Sequence, residues 1–547
     1  MSNGFAPSQI ISLEGLTMRS IAQHLIRSLP TRTSRGTLPV LFVLIILVLA
    51  ACGSPPPATT HAKAGGKITV GLGADIITLD PLKSSSFYDR QVMLNIYDTL
   101  VRIDAQNNIK PDLATSWQYT TPTELVFTLR TDVKFADGTT LDASAVVTNI
   151  NRILTTPTSP RASEIATVKS VDAVDGSHVR FNLTKPFAPL LASLTDRAGM
   201  ILSPAVLQSK GATAVANTPT DAGSGPFIAS AWVKGDHLTV TRNPHYWQKD
   251  DQGTALPYLQ SITYRPFTDG TVEFTNLETG NIEVADGIDP NDVAQAKSNP
   301  DLVYKQIPSL SFGGIQLNVD TPPLNNVHVR RAISWGVNRE EILNSVNKGV
   351  GVVAQGPIPP TSWAFNSKFA PYQYDVNKAK AELQQAGMTS VSFTLKTVSG
   401  SALATQQAQF LQSELQPAGI KVTIQQETFA TLLDDTQTHH FQAAVLGWSG
   451  RPDPDGNMYA WFHTGGGFND MQYSNPQVDK LLEQARASND QPTRIKDYQQ
   501  AEQIIMSDAS YVFLGHGVSI QATTKKVQNF LILPTGIMEF NSVYLSL

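Results

Sequence analysis

The sequence predicts an α/β protein built from more than one domain, and three observations support this prediction. The chain has 547 residues, which is more than a single hydrophobic core usually organises. Strand-like and helix-like apolar segments alternate along it, most regularly beyond residue 311. Hydrophobic residues make up 41% and charged residues 16%, which argues against a disordered chain and against a protein with many membrane spans.

The first half of the chain alternates short strands with single helices. Lys67–Leu72 has the pattern of an opening strand, and residues 88–97 follow as a helix. Residues 125–130 alternate as a half-buried strand, and Asp142 is expected to cap a helix that continues to Ile153. Further strands, each bounded by turn residues, are predicted at His178–Leu183, His237–Arg242 and Ser261–Pro266.

The second half has the alternation of helices and strands that parallel pairing requires. Strands are predicted at 314–319, 392–396, 420–425, 443–448 and 511–514. Helices are predicted at 326–337, Val376–Gln385, 403–415, Pro476–Ala487 and 492–507. The whole pattern therefore predicts α/β domains with mixed sheets.

The first 51 residues have the pattern of a secretory signal peptide. The run 38–51 contains 14 residues without a charge, and four arginines precede it, at positions 19, 27, 32 and 35. At about 1.5 Å per residue this run is too short to span a hydrocarbon core of ~30 Å comfortably. An amino-terminal anchor helix is therefore the less favoured alternative. The leader is long, and both Met1 and Met18 are possible starts.

Cys52 is the only cysteine in the chain and follows this run directly. A single cysteine excludes an intramolecular disulfide and any Cys-rich metal site. The segment Leu49-Ala50-Ala51-Cys52 resembles the bacterial lipobox, which implies that Cys52 is lipidated and becomes the first residue of the mature protein. Residues 53–66 then form a polar tether, and the protein is expected outside the cell membrane, anchored to it by lipid.

The overall charge is mildly acidic, with a net value of -5 at pH 7 and no block of basic residues. Nucleic acid is therefore not an expected partner. No later segment is apolar enough to predict a membrane span, and no sequence pattern indicates a bound cofactor.

A series of short motifs runs from residue 67 to the carboxyl terminus. They are LDP at 79–81, IYDTLV at 96–101, PDLATSW at 111–117, FADG at 135–138, GSGPF at 223–227, RNPHYW at 242–247, LETG at 277–280, VRRAI at 329–333, and GW followed by DP at 447–454. No motif is specific alone. In this joint order the chain resembles the family 5 extracytoplasmic solute-binding proteins of peptide and nickel ABC importers.

This resemblance implies a two-lobed, hinged fold of the class II periplasmic-binding-protein type, with an extra α+β domain inserted in the first lobe. The first lobe would combine 67–100, 222–311 and 506–547, the insert would be 101–221, and the second lobe 312–505. A ligand closes the lobes, and a membrane permease recognises the closed form. The resemblance thus implies a monomeric binding protein, and no enzyme, because no bond is broken.

The loop 447–455 is the best candidate for the ligand pocket. It follows the predicted strand 443–448, and ligands of open α/β sheets bind beyond the carboxyl ends of strands. Trp448 offers a stacking face, Arg451 is suited to a carboxylate and Asp453 to an amine. The alternative is a turn rich in proline and aspartate, with Trp448 in the core.

Two features depart from the peptide-binding members that the chain resembles. Those members commonly place an aspartate for the peptide amino terminus near the position of Arg451, so the charge is reversed here. Dipeptide binders also tend to carry an arginine after the strand corresponding to 392–396, where this chain has Thr397-Val398-Ser399-Gly400. Both departures favour an anionic solute, such as a γ-linked peptide, over a plain dipeptide.

Other residues are weaker candidates for the binding site. Ser85 and Ser86 are expected to line the opposite wall with hydroxyl groups, although a helix-start loop explains them equally well. Asn318 opens the second lobe and is a further candidate. The glycines of 223–225 are expected near the crossing between the lobes, where they would permit positive φ, although an ordinary turn explains them too.

Alternative functions have less support in the sequence. Ser345 and Lys348 fit the S-x-x-K pattern of penicillin-recognising enzymes, but the companion motifs do not follow, which argues against a secreted hydrolase. Among the histidines only His439 and His440 are close, and adjacent strand residues point to opposite faces, so direct metal binding is not expected. An opine, a glutathione-like compound or chelated nickel remain alternative ligands.

Overall fold

The structure of the protein is a computed structural model that describes residues 65–370 and 372–546. The predicted signal peptide, Cys52 and most of the predicted tether lie outside these residues. Three large sheets organise the described chain, and each has a hydrophobic core of its own. The α/β class and the two-lobed architecture that the sequence predicts are confirmed.

The first lobe is built on a mixed sheet of seven strands. Lys67–Leu72 lies inside this sheet and pairs in parallel with Ser261–Pro266 and Val284–Ala285, while the other pairings are antiparallel. The spatial order of the strands is Leu302–Pro308, Val518–Thr524, Val284–Ala285, Lys67–Leu72, Ser261–Pro266, His237–Arg242 and Phe227–Val233. Ile68 and Val70 are fully buried, as expected for an inner strand covered on its faces.

The second lobe is built on a mixed sheet of six strands. Val391–Val398 pairs in parallel with Ile420–Glu427 and Ala443–Val445. The order is Val352–Val353, Tyr511–His516, Gly313–Leu317, Ala443–Val445, Val391–Val398 and Ile420–Glu427. The strand Tyr511–His516 thus pairs in the second lobe, although it was expected in the first, because an apolar run does not reveal which sheet it joins. Val518–Thr524 lies in the first-lobe sheet, as expected.

The insert contains an antiparallel sheet of four strands, in the order Ala114–Thr121, Glu124–Leu129, His178–Leu183 and Val168–Ala173. All of them lie within the expected range 101–221. The helix Ala143–Leu154 packs on this sheet, and the Asp142 carboxylate accepts a hydrogen bond from the Ala145 N–H at 2.9 Å, as the sequence predicts.

Helices surround the three sheets, and most begin at a Ser, Thr, Asp or Asn cap. The α-helices are Phe87–Ile96, Ala143–Leu154, Pro160–Glu164, Leu190–Ser193, Pro204–Asn217, Gly270–Glu278, Val293–Ser298, Val327–Gly336, Arg339–Glu341, Val376–Gln385, Ala402–Leu415, Phe429–Gln437, Asp455–Phe462, Pro476–Ala487 and Gln491–Asp508. A π-helical turn, Ile342–Val346, and two 3-10 turns, Arg197–Gly199 and Gln416–Ala418, complete the helical elements. Short strand pairs join Val101–Ile103 to Ile109–Pro111, Val527–Gln528 to Tyr544–Leu545, and Leu531–Ile532 to Met538–Glu539. In the part of the chain that the structure describes, no helix has the length and apolar character needed to cross a membrane.

The chain passes between the two large sheets at residues 309–312 and again at Gly517. The two crossings are hydrogen bonded to each other, since the Ser309 hydroxyl donates to the Gly517 carbonyl at 2.9 Å. The His516 Nδ1 lies 3.0 Å from the Ser311 carbonyl oxygen. Two adjacent, connected crossings form the hinge expected for this fold.

The glycines of 223–225 differ in backbone conformation from the expectation. A Cβ on Gly223 would lie 1.8 Å from the Ile96 carbonyl oxygen, so these glycines permit close contact with the end of the helix Phe87–Ile96. Neither Gly223 nor Gly225 has positive φ. The expected use of positive φ at these glycines is therefore wrong, and their small size is what the structure requires.

Candidate ligand-binding site

The loop 447–455 begins at the end of the strand Ala443–Val445 and leads into the helix Asp455–Phe462. Trp448 is 6% exposed and packs against Trp461 and Phe468, with ring centroids 5.5 and 4.7 Å away. Its indole N–H donates to the Asn457 side-chain oxygen at 3.1 Å. Trp448 therefore belongs to the aromatic core of the second lobe, and one face of its ring is covered by a charged group.

That charged group is the guanidinium of Arg451, whose central carbon lies 4.2 Å from the centre of the Trp448 ring. Arg451 Nε also lies 3.1 Å from the Asp196 carboxylate of the insert. The backbone N–H of Arg451 donates to Asn457, which orients the loop. Arg451 thus connects the second lobe to the insert.

Asp196 is the centre of a group of buried charges. We call it the arginine cluster, and its members are Arg90, Glu164, Arg161, Asp196, Arg197 and Arg451. Arg90 comes from a first-lobe helix, and its Nε lies 2.8 Å from the same Asp196 oxygen that faces Arg451. Arg161 and Glu164 lie 3.2 Å apart on the insert helix Pro160–Glu164, and Arg197 adjoins Asp196 in sequence. The cluster therefore draws on the first lobe, the insert and the second lobe.

Burial of these charges is nearly complete. Arg161 is 0% exposed, and Arg90 and Asp196 are 2% and 1% exposed. Burial lowers the pKa of Arg90 and of Arg161 to about 9, and repulsion from the neighbouring arginines contributes to both shifts. For Asp196, burial alone would raise the pKa, but Arg451, Arg90 and Arg197 together lower it well below its usual value. The environment is therefore strongly positive and favours anions.

The serine loop 84–86 reaches the cluster through Arg197. Arg197 Nη1 donates to the carbonyl oxygens of Ser84 and Ser86, each at 3.1 Å, and to the Ser84 hydroxyl at 3.0 Å. The Ser86 hydroxyl caps the helix Phe87–Ile96, so it is used in the fold. The Ser85 hydroxyl is buried and makes no hydrogen bond to any described residue. Of the two predicted serines, Ser85 is the one with an available polar group.

Asp453 and Asn318 are placed differently from the expectation. The Asp453 carboxylate accepts a hydrogen bond from Arg494 at 2.6 Å, so its charge is already paired within the second lobe. Asn318 is 0% exposed, and its amide bonds to the carbonyl oxygens of His439 and Phe441 and to Gln472. Because these polar groups are occupied, the structure brings neither residue to the arginine cluster as a free ligand contact.

The structure places the histidine pair in a turn after the helix Phe429–Gln437, where His439 has a φ of 62°. His439 and His440 therefore do not lie on a strand, contrary to the prediction. Within residues 65–370 and 372–546, no group of three His, Cys, Asp or Glu side chains is arranged to hold a metal ion.

Sequence reasoning missed Arg90, Arg161, Asp196 and Arg197. No local motif distinguishes them, because they meet only through tertiary contacts. A cavity of about 60 Å³ lies beside the cluster, and a second cavity of about 440 Å³ lies near the first crossing, where Pro308 and Thr361 line it. The smaller one reaches Arg90 but is much smaller than the ~300 Å³ typical of ligand pockets.

The two lobes and the insert are in direct contact around the cluster. Arg90 Nη1 donates to the Ser449 hydroxyl at 3.4 Å, and Tyr88 packs edge-on against Phe429 at 5.5 Å, so the first lobe contacts the second. The Gly467 N–H donates to the Ser163 hydroxyl of the insert at 3.2 Å. The structure therefore has the lobes closed on one another.

Comparison with known proteins agrees with this architecture. Residues 108–469 match the family model described as bacterial extracellular solute-binding proteins, family 5 middle. The chain is 32% identical to the probable D,D-dipeptide-binding periplasmic protein DdpA of Escherichia coli K12, over 91% of this chain and 97% of that protein. It is 29% identical to the glutathione-binding protein GsiB of Escherichia coli O1:K1, over 86% and 93%.

A solved structure is similar over nearly the same extent. It is the ABC transporter-associated periplasmic binding protein DppA of Helicobacter pylori in complex with the peptide STSA, with a TM-score of 0.81 and 28% identity over 88% of this chain and 98% of that one. The two-lobed fold, the family model and the relatives agree. The chain belongs to the bacterial extracellular solute-binding proteins of family 5.

Proposed function

We propose that this protein is the substrate-binding component of an ABC importer and captures a short, peptide-like solute that carries an acidic group. The relatives named above are a probable D,D-dipeptide-binding protein, a glutathione-binding protein and a protein in complex with a peptide, which supports a peptide-like solute. One observation supports the acidic group above all others. Four buried guanidiniums from three parts of the chain surround only two carboxylates, which is a strongly anion-attracting arrangement.

Lobe closure is the event that couples binding to transport. Arg451 lies on the second lobe and contacts Asp196 of the insert, and Ser449 of the second lobe contacts Arg90 of the first. These two contacts exist only while the lobes are closed. A solute that bonds to both sides at once stabilises the closed form by the free energy of those contacts. The permease then recognises the closed form, and no chemical step takes place on the protein.

The location that we propose is the outer face of the cell membrane, with Cys52 lipidated. The apolar run 38–51 and the lipobox-like segment before Cys52 support this proposal. Expression of the full chain followed by membrane fractionation tests it. The wild type should sediment with membranes. When cells are grown with a labelled fatty acid, the wild type should take up the label and Cys52→Ser should not. Equal lipid labelling of both chains would contradict the proposal.

A thermal-shift screen tests the proposed function. The panel contains dipeptides, γ-glutamyl peptides, glutathione and opines, with sugars and free metal ions as comparison classes. A ligand that binds the native protein and not the unfolded chain raises Tm, because it stabilises the native form by RT ln(1 + L/Kd), where L is the concentration of free ligand. We expect at least one acidic, peptide-like compound to raise Tm. A response restricted to sugars or metal ions would contradict the proposal.

A further inference from the structure

The balance of charge in the arginine cluster carries information about the solute. The cluster contains four guanidiniums and two carboxylates, an excess of two positive charges among the described residues. Exposed arginines are balanced by water and counterions, but these side chains are buried. A buried charge without a partner costs several kcal/mol, so the closed form is costly unless negative charge is supplied.

One further carboxyl group lies near the cluster. Asp89 interacts with Arg197, but Asp89 Oδ1 accepts a hydrogen bond from the Ile77 N–H at 2.7 Å. Burial raises the pKa of Asp89 to about 7, so this group supplies only part of a negative charge at neutral pH. It does not remove the excess.

Arg161 is the member whose bonding capacity is least used. None of its three side-chain nitrogens finds a hydrogen-bond acceptor among the described residues. Glu164 lies 3.2 Å from Arg161 Nη1, but one carboxylate cannot satisfy a guanidinium with five N–H donors. Arg451 Nη2 also makes no hydrogen bond within the part of the chain that the structure describes. Two guanidiniums therefore retain buried donors.

These two guanidiniums occupy neighbouring positions on the aromatic core of the second lobe. Arg451 lies over Trp448 at 4.2 Å, and Arg161 lies 5.4 Å from the centre of the Phe468 ring. The Trp448 and Phe468 rings are adjacent, with centroids 4.7 Å apart. Arg451 comes from the second lobe and Arg161 from the insert, so an anion at each would join the two parts.

We propose that the solute carries two separate carboxylates, one held at Arg451 and the other at Arg161, and that two negative charges neutralise the cluster in the closed form. This inference rests on the proposed function and narrows it to dicarboxylic, peptide-like compounds. N-succinylglycine carries two carboxylates and no amine, and a γ-glutamyl peptide carries two carboxylates and one protonated amine, whereas a dipeptide without acidic side chains has a single carboxylate. Arg161 is then a specificity-determining residue contributed by the insert.

Matched pairs of probes that differ by one carboxylate test the proposal. The pairs are γ-glutamylglycine with its carboxy-terminal amide, glutathione with its glycine amide, and N-succinylglycine with its carboxy-terminal amide. Titration calorimetry gives Kd for each. In every pair that binds, we expect the dicarboxylate to bind at least ten times more tightly than the amide. Equal affinities within the pairs would overturn the proposal even if the protein binds peptides.

Variants assign the second carboxylate to Arg161. In Arg161→Gln the preference for the dicarboxylate should fall to less than about three-fold, and Arg161→Lys should restore part of it. The matched control is Arg265→Gln, because the Arg265 side chain is 49% exposed and lies outside the cluster. If Arg161→Gln keeps the full wild-type preference for the dicarboxylate over its amide, the assignment of the second carboxylate to Arg161 is overturned.

The wild-type pairs remain informative if a variant fails to fold. Binding of neutral or single-carboxylate peptides without preference would reject this inference and leave the proposed function intact. Failure of every peptide-like probe to bind would instead reject the proposed function.

Discussion

Two groups of buried charges lie on either side of the loop 447–455, and they differ in charge balance. Arg451 joins the arginine cluster, in which four guanidiniums surround two carboxylates. Two residues further along, the loop enters a second group that we call the paired group, whose members are Asp453, Asp455, Arg486 and Arg494. There, two guanidiniums face two carboxylates.

Hydrogen bonding differs in the same way. Arg486 makes three contacts of 2.9–3.1 Å to the Asp455 carboxylate and donates to the Ser163 carbonyl oxygen. Arg494 donates to Asp453, to the Ala485 carbonyl and to the Tyr498 hydroxyl. In the arginine cluster, Arg161 has no such acceptor among the described residues. The paired group is complete without a ligand, whereas the cluster is not.

The pKa shifts record the same contrast. Burial opposes the charge of Arg494, yet Asp453 and Tyr498 raise its pKa above the usual value. Burial lowers the pKa of Arg161 to about 9 because Glu164 does not compensate it fully. The two groups are therefore both buried, but they differ in whether each charge has a partner. Balanced and fully bonded charge needs no further partner, whereas we propose that the unbalanced charge of the arginine cluster receives its partner from the solute.

The largest expected effect lies in the paired group. Arg486→Ala leaves the Asp455 carboxylate buried without its partner, and we expect it to lower the free energy of unfolding by about 3–5 kcal/mol. Urea denaturation measures this loss. The double variant Arg486→Met/Asp455→Leu should recover most of it, because an apolar pair of similar size carries no uncompensated charge. If Arg486→Ala lowers the free energy of unfolding by less than about 1 kcal/mol, the structural role of the Arg486–Asp455 pair is contradicted.

Asp196→Asn tests the centre of the arginine cluster. At pH 7 we expect it to lower the free energy of unfolding by about 3 kcal/mol, because the arginines lose their shared carboxylate. The native pKa of Asp196 is well below that of the unfolded chain, so its contribution is complete above about pH 4 and is lost as the pH falls further.

The comparison of wild type and Asp196→Asn at pH 7 and at pH 3 measures this dependence. The difference between the two proteins should shrink at pH 3. A difference that is constant or grows on acidification would show that the arginines do not lower the pKa of this carboxyl.

Arg451→Gln should act on binding more than on folding. It removes a charged hydrogen bond to an acidic solute, so we expect the affinity for an acidic, peptide-like probe to fall by about 1.5–3 kcal/mol. Because it also reduces the excess of positive charge, stability without ligand should change by less than about 1 kcal/mol. Calorimetry and urea denaturation separate the two effects, with Arg265→Gln as the control. An unchanged affinity would remove Arg451 from the pocket.

The smallest effect is expected at an exposed ion pair between the insert and the second lobe. Lys185 and Glu483 lie 3.1 Å apart, but their side chains are 44% and 47% exposed. Water and salt screen such a pair, so Lys185→Ala should change stability by less than about 1 kcal/mol and leave ligand affinity unchanged. A larger loss would show that contact between the parts, rather than burial and balance of charge, determines the energy.

The sequence predicts the local elements well because their signals are local. Periodicity places Lys67–Leu72, His178–Leu183 and Pro476–Ala487 at their observed bounds. Asp142 caps its helix as expected. Which sheet a strand joins is a tertiary property, and for this reason the sequence does not show that Tyr511–His516 pairs in the second lobe.

The site is predicted only in part. The rule that ligands lie beyond strand ends points to the loop 447–455 and to Arg451, which the structure places in the candidate site. It cannot tell that Asp453 is paired with Arg494, or that Arg90, Arg161 and Asp196 meet across long sequence separations. Charge balance in three dimensions distinguishes these residues, and no motif records it.

The position of the acidic groups in a bound solute tests the central claim most directly. A crystal structure of the protein with a dicarboxylic probe that binds, such as γ-glutamylglycine, gives this position. The account predicts carboxylate oxygens within about 3.2 Å of the guanidinium nitrogens of Arg451 and Arg161. An ordered solute whose acidic groups contact no arginine of the cluster would contradict it.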